Sequence, residues 1–127
     1  PPATSETVFA LLDYAAAGKK DELQLALDEL QLAHDPYQVF ATISSQWSQL
    51  ALLQYARDPK TATVLGVHPF VAQKLTALSC AFSSADIVKI TEFAATIDRQ
   101  LKHSDVSPWE AVERLLAAIV AHTKTPA

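Results

Sequence analysis

The chain has 127 residues, half of them apolar, and a formal net charge of −4. This length is sufficient for one domain with a substantial core, and the apolar runs are far shorter than the ~20 residues that cross a bilayer. The ten Lys and Arg residues are scattered, which excludes the clustered basic stripe needed to bind phosphate backbones directly. With no export signal and a single cysteine, a cytoplasmic location is expected.

The two ends of the chain lead to a prediction about its origin. The sequence contains no methionine and begins Pro-Pro-Ala-Thr, so we expect a fragment cut from a longer polypeptide. Residues 1–127 are predicted to form a single helical domain. Residues 1–4 and 123–127 are predicted to be flexible ends.

Prolines mark the starts of helices in this sequence. Pro36, Pro69 and Pro108 each follow a residue that can cap a helix, and each precedes an aromatic residue. Proline suits the first helical position because its missing N–H has no intrahelical partner there and its φ is already helical. A fourth internal proline, Pro59, follows the point where a helical pattern stops.

Apolar residues recur at helical spacing in six segments. These segments run approximately over residues 5–17, 20–33, 36–57, 69–82, 84–103 and 108–122. Only a short turn is predicted around residues 61–65. The third segment has a broad apolar arc from Val39 to Tyr55, which is typical of a central helix. Gly18 and Gly66 fall where helical patterns end and predict left-handed C-terminal caps. The sequence therefore predicts an all-α fold, a compact antiparallel bundle of about six helices.

The four histidines do not have the spacing of a metal site. None is paired at i, i+4 with an acidic residue beside it. His34, His103 and His122 lie near predicted helix C-termini, where an imidazole interacts favourably with the helix dipole. His68 directly precedes Pro69 and is interpreted as the N-cap of the next helix.

Other patterns that carry chemistry are also missing from the sequence. There is no Gly-x-Ser-x-Gly motif, and two glycines in the whole chain do not form a phosphate-binding loop. Cys80 lies in an apolar stretch with no adjacent basic residue and is interpreted as a buried core residue. Trp47 and Trp109 lie on apolar helix faces and are interpreted as core residues, with interface anchors as the alternative. No catalytic residue, cofactor or metal ligand is predicted.

Three short elements follow one another along the chain. The first is a Phe-x-Leu-x-Asp helix with a following glycine turn, formed by Phe9, Leu11, Asp13 and Gly18. The second is Leu-Gly-x-x-Pro-Phe-x-x-x-Lys-Leu, formed by Leu65, Gly66, Pro69, Phe70, Lys74 and Leu75. The third is an Asp-x-x-Leu-Lys helix end before a proline-started helix, formed by Asp98, Leu101, Lys102 and Pro108.

In this succession of elements the chain resembles the C-terminal region of the delta subunit of bacterial DNA polymerase III. It departs from that family after Lys102, where His-Ser-Asp-Val-Ser replaces the usual glycine-containing turn. The resemblance implies a collar domain of the clamp loader, the machine that loads the sliding clamp onto primed DNA. The motif residues named above are then structural positions.

The resemblance also implies the partners. A collar domain packs against the same region of the other clamp-loader subunits. The sliding clamp is contacted through the family's N-terminal domain, which, like the AAA+-like domain, is expected to be absent from this fragment. DNA contact is expected to be weak or indirect, and ATP is hydrolysed by other subunits. The fragment is thus expected not to be an enzyme, although its parent subunit would belong to the polymerase III holoenzyme.

Two other interpretations follow from the residues alone. One is a free-standing helical adaptor that binds proteins unrelated to replication. The other is a helical enzyme or ligand-binding domain with a pocket around His68 or Cys80.

Overall fold

The computed structural model describes residues 5–56 and 58–124, which form seven α-helices and no β-strand. The helices are α1 (Ser5–Ala16), α2 (Lys20–Ala33), α3 (Pro36–Ala56), α4 (Pro59–Leu65), α5 (Pro69–Ser79), α6 (Ser84–Lys102) and α7 (Pro108–His122). The predicted all-α class is confirmed. Along the described residues, no helix is both long enough and apolar enough to cross a membrane.

Helix starts follow the predicted proline pattern. Helices α3, α5 and α7 each begin at a proline. The Asp35 carboxylate accepts a hydrogen bond from the N–H of Tyr37 at 3.0 Å and caps α3. The Ser107 hydroxyl accepts from the N–H of Glu110 at 3.3 Å and caps α7. The Glu110 carboxylate pairs with Arg114 at 2.8 Å. Of the two residues in the Ser-x-x-Glu sequence, Ser107 therefore provides the side-chain cap.

Helix α4 replaces the turn predicted around residues 61–65. It begins at Pro59, and the Asp58 carboxylate accepts a hydrogen bond from the N–H of Lys60 at 3.0 Å. With seven residues, α4 is too short to show a clear apolar periodicity, which is read over 11 or more residues. The local signals for this helix are therefore the Asp-Pro pair at its start and Gly66 after its last residue.

Three helices end in the same hydrogen-bonded motif. Gly18 and Gly66 follow the last residues of α1 and α4 and have φ angles of 73° and 71°, as predicted. Ser104, two residues after the end of α6, has a φ of 60°. Each of these residues is followed by an N–H that reaches back five residues, as in a Schellman motif. These bonds are Lys19 to Tyr14, Val67 to Ala62 and Asp105 to Gln100.

Helix α3 lies at the centre of the bundle, as its broad apolar arc predicts. It packs against α1, α4, α5, α6 and α7. Helix α7 packs against α1 and α6, and α2 packs against α1. The largest fully buried side chains are Trp47, Leu11, Leu12, Ile43, Leu50, Leu75, Ile90, Ile97, Leu115, Leu116, Ile119 and Val8.

Two burial predictions are wrong. Cys80 was expected in the core but is exposed, because α5 ends at Ser79 and Cys80 begins the turn that follows. Tyr55 was placed on the apolar arc of α3, but its side chain is 86% exposed. Tyr55 lies in the last turn of α3, where the buried residue is Leu53.

The described part of the predicted flexible C-terminus is hydrogen-bonded to the bundle. The Thr123 hydroxyl donates to the carbonyl of Ala16 at 2.6 Å. The N–H of Lys124 donates to the carbonyl of Ala81 at 2.8 Å. Residues 1–4 and 125–127, on which the rest of that prediction falls, lie outside the described residues.

Candidate protein-protein interface

The exposed face of α3 is uncharged. None of its 21 residues is Asp, Glu, Lys or Arg, although charged residues make up 19% of the chain. At 1.5 Å per residue the helix is about 30 Å long. Its solvent side includes Tyr37, Ala41, Ser48, Leu52 and Tyr55. Charged residues are depleted at the centres of protein interfaces, so this face is typical of a surface that another protein covers.

A groove runs between α3 and α6. The first half of α3 and the second half of α6 enclose a cavity of about 420 Å³. The second half of α3 and the first half of α6 enclose a cavity of about 590 Å³, so the two helices are antiparallel. Ser48 and Thr91 line both cavities. The two cavities therefore adjoin along the same pair of helices, and we name them together the α3–α6 groove.

A tryptophan forms part of the floor of the α3–α6 groove. The Trp47 indole is 1% exposed, and its Nε1 donates to the hydroxyl of Thr91 at 3.1 Å. That hydroxyl in turn donates to the carbonyl of Ile87 at 2.7 Å. The indole also meets Phe82 edge-to-face, with ring centroids 5.2 Å apart. The hydrogen bond from Trp47 to Thr91 therefore joins α3 to α6 at the middle of the groove.

Large apolar side chains remain exposed along the groove. Leu52 is 47% exposed and Val88 is 55% exposed, and they line the same cavity from α3 and α6. Tyr37 and Tyr55 stand near opposite ends. Tyrosine is enriched at interfaces because it combines a large apolar ring with a polar tip. These four residues were not predicted as site residues, although the absence of charge in residues 36–56 is a signal that could have found them.

Polar groups lie at the two ends of the groove. Asp98 and Lys102 form an ion pair with a 2.8 Å separation at one end, as their i, i+4 spacing predicts. At the other end the Gln54 amide donates to the Ser84 hydroxyl at 2.9 Å. Glu92 lines the larger cavity. The groove therefore combines exposed apolar side chains with polar groups, as protein interfaces do.

The motif positions of the sequence separate into four groups and one single residue, Asp13, in the structure. Leu11 and Leu75 are fully buried. Positions at helix boundaries are Gly18, Leu65, Gly66, Pro69 and Pro108. Positions that line the α3–α6 groove are Asp98, Leu101 and Lys102. Asp13 is exposed on α1, and the remaining three, Phe9, Phe70 and Lys74, form a cluster of their own.

Phe9, Phe70 and Lys74 meet between α1 and α5. The Lys74 ammonium lies 4.5 Å from the centroid of the Phe70 ring and 5.2 Å from that of the Phe9 ring. Both distances are within the range of cation–π attraction, which is worth ~0.5–1 kcal/mol at exposed sites. Phe70 is 58% exposed. We name these three residues the Lys74 cluster, and they line neither cavity of the groove.

The histidine and cysteine singled out in the sequence have local roles. The His68 Nδ1 accepts a hydrogen bond from the N–H of Phe70 at 3.1 Å, which confirms the N-cap interpretation. The Cys80 Sγ contacts the carbonyl of Thr76 at 3.7 Å. Neither residue lines the two cavities. Within residues 5–56 and 58–124, no group of three His, Cys, Asp or Glu residues is placed to hold a metal ion.

The fold and the groove define a helical domain whose exposed chemistry suits protein binding. Over residues 5–119 the sequence matches the family described as DNA polymerase III delta subunit, C-terminal domain. The chain belongs to that family, which confirms the resemblance found in the sequence.

A solved structure shows the same fold. The DNA clamp loader delta protein (YqeN) of Bacillus subtilis superposes with a TM-score of 0.82 at 22% sequence identity. The match covers 93% of this chain and 37% of the B. subtilis chain. The chain therefore spans little more than a third of the length of that protein. A comparison with curated proteins gave no match.

Proposed function

We propose that this domain is the collar domain of a delta-like clamp-loader subunit and that it holds the subunit in the assembled complex. The observation that carries the proposal is the α3–α6 groove, a partly apolar surface whose α3 side has no charged residue, on a chain that belongs to the delta C-terminal family. The name of the B. subtilis protein of similar fold supports the clamp loader as the setting. In this role the domain is not catalytic and acts in the cytoplasm.

The groove suits a helix of a neighbouring subunit. A helix lying between α3 and α6 would cover Leu52 and Val88 and remove their apolar surface from water, which is favourable by about 25 cal/mol per Å². Its side chains would enter the two cavities, whose volumes of about 420 and 590 Å³ are sufficient for large apolar residues. Tyr37 and Tyr55 would border the contact and hydrogen-bond at its edge.

Other steps of clamp loading are assigned outside this domain. Contact with the sliding clamp belongs to an N-terminal domain, and ATP hydrolysis belongs to other subunits. The net charge of −4 and the scattered basic residues support at most weak or indirect contact with DNA. The partners proposed for this domain are therefore the other clamp-loader subunits.

Mixing the purified full-length chain with the other clamp-loader subunits of the same organism tests the proposal. We expect one complex in size-exclusion chromatography. Leu52→Glu combined with Val88→Glu places two charges in the groove and should raise Kd at least about tenfold, as for the loss of a central apolar contact.

A matched control is available on α2. Leu32 is 88% exposed and does not line the groove, so Leu32→Glu introduces the same chemistry elsewhere. Leu32→Glu should assemble like the wild type, and circular dichroism should show unchanged helix content in both variants. A wild-type chain that binds no clamp-loader subunit would contradict the proposal and favour a free-standing adaptor.

A further inference from the structure

The Lys74 cluster presents a positive charge beside two aromatic rings at the surface. The ammonium of Lys74 lies against two aromatic rings, so its position is restricted although the side chain is exposed. The ion pairs within residues 5–56 and 58–124 are Asp98–Lys102 and Glu110–Arg114. Lys74 is thus not paired with a carboxylate of the described chain, and its N–H donors can bind an external acceptor.

The contacts of Lys74 with aromatic rings set it apart from the other lysines. Lys20 and Lys89 also have no ion pair within the described residues, but the ring contacts there are made by Lys74, with Phe9 and Phe70. The side chain of Phe70 is 58% exposed. An exposed aromatic ring beside a cation offers an apolar contact and an ionic contact side by side, and this pairing gives specificity to an interface.

We propose that Phe9, Phe70 and Lys74 form a second docking surface, which binds an acidic segment of a neighbouring subunit. A carboxylate of that segment pairs with Lys74, and an adjacent apolar side chain covers Phe70. The inference rests on the proposed function, because the neighbour is another clamp-loader subunit. It adds a contact outside the α3–α6 groove.

An acidic protein segment fits this surface better than DNA does. Binding to a phosphate backbone depends on several clustered Lys and Arg residues, whereas one lysine stands between the two rings here. The exposed part of Phe70 needs an apolar partner, which a protein side chain supplies. DNA binding is therefore the competing outcome of the experiment.

The first measurement compares charge variants of the full-length chain. Lys74→Met removes the charge at similar length, and Lys74→Arg keeps it. We expect Lys74→Met to raise the Kd for the other clamp-loader subunits about tenfold, as for a charge pair that loses one partner. Lys74→Arg should bind like the wild type. The effect of Lys74→Met should shrink at high salt because salt screens the ion pair.

The second measurement identifies the contact directly. A carbodiimide couples a lysine amine to a carboxylate that touches it, and mass spectrometry locates the new amide bond. We expect a link from Lys74 to an Asp or Glu of a partner subunit in the wild-type complex. Lys74→Arg should bind but lose this link, because a guanidinium is not coupled. Lys20→Met, which changes another exposed lysine, should leave both the Kd and the link unchanged.

The outcomes separate this inference from the proposed function. In one outcome the wild-type subunits assemble, and the groove variant disrupts assembly. If Lys74→Met then binds like the wild type, and the wild-type complex shows no link from Lys74, the inference of a second surface is wrong and the collar role stands. If Lys74→Met weakens binding only to a fluorescent primed DNA duplex, the surface binds DNA and the inference is also wrong. If the wild-type chain binds no subunit, both proposals fail together.

Discussion

The indole Nε1 of Trp47 donates a hydrogen bond to the hydroxyl of Thr91 at 3.1 Å. This bond joins α3 to α6 beneath the α3–α6 groove, because Thr91 lines both cavities. Trp47 is 1% exposed, so its N–H has little access to water. The shape of the groove and the stability of the bundle therefore depend on the same pair of residues.

Thr91→Val should destabilise the fold by about 1–3 kcal/mol, the usual cost of leaving a buried donor unpaired. Thr91→Ser keeps the hydroxyl and should lose less. Urea unfolding followed by tryptophan fluorescence measures both free energies of unfolding. Equal stability of the Val and Ser variants would show that the hydrogen bond contributes nothing.

His68→Ala should weaken the start of α5. The His68 Nδ1 accepts the hydrogen bond from the N–H of Phe70, and loss of an N-cap acceptor costs about 0.5–2 kcal/mol. His68→Ser should preserve or increase stability because serine is a preferred cap. Thermal unfolding of the three chains tests the order, and a stable His68→Ala variant would contradict the capping role.

Cys80 should react with a thiol reagent in the native state. Its side chain is exposed in the turn after α5, so one equivalent of a maleimide should add without denaturant. Mass spectrometry of the native and urea-unfolded chain measures the extent of modification. Reaction only after unfolding would show that the Cys80 thiol is buried, as expected from the sequence.

Local signals account for the part of the fold that the sequence predicts. Prolines at Pro36, Pro69 and Pro108 set the starts of three helices, and Gly18 and Gly66 set the ends of two. Each signal acts within a few residues of itself, through a fixed φ or a tolerated positive φ. Helix α4 was missed because it is too short for periodicity to reveal it.

The candidate surfaces depend on contacts between distant residues. The uncharged segment 36–56 indicates one side of the groove, but no local pattern records which elements meet. The α3–α6 groove exists because α3 and α6 pack antiparallel, and the Lys74 cluster exists because Phe9 on α1 reaches α5. The sequence did single out Phe9, Phe70 and Lys74 one by one. It did not predict that the three would meet, because apolar spacing gives the face of a helix but not its neighbour.

Ser104 occupies a backbone position that glycine usually takes. Its φ of 60° matches the left-handed conformation of Gly18 and Gly66, and the same five-residue hydrogen bond, from Asp105 to Gln100, closes the end of α6. A residue with a Cβ pays roughly 1–2 kcal/mol to be left-handed. The His-Ser-Asp-Val-Ser loop therefore keeps the geometry of a glycine turn without the glycine.

Ser104→Gly should stabilise the bundle by about 0.5–1 kcal/mol. Glycine removes the left-handed strain of the folded state, and this gain exceeds the ~0.4–1 kcal/mol lost because glycine raises the conformational entropy of the unfolded chain. Gly66→Ala is the reciprocal control. A Cβ at Gly66 meets no atom within 4 Å, so its destabilisation would come from the φ of 71° and not from a clash. Urea unfolding of both variants gives the two free energies. If Ser104→Gly is less stable than the wild type, the left-handed strain at Ser104 is smaller than the entropy that glycine adds to the unfolded chain.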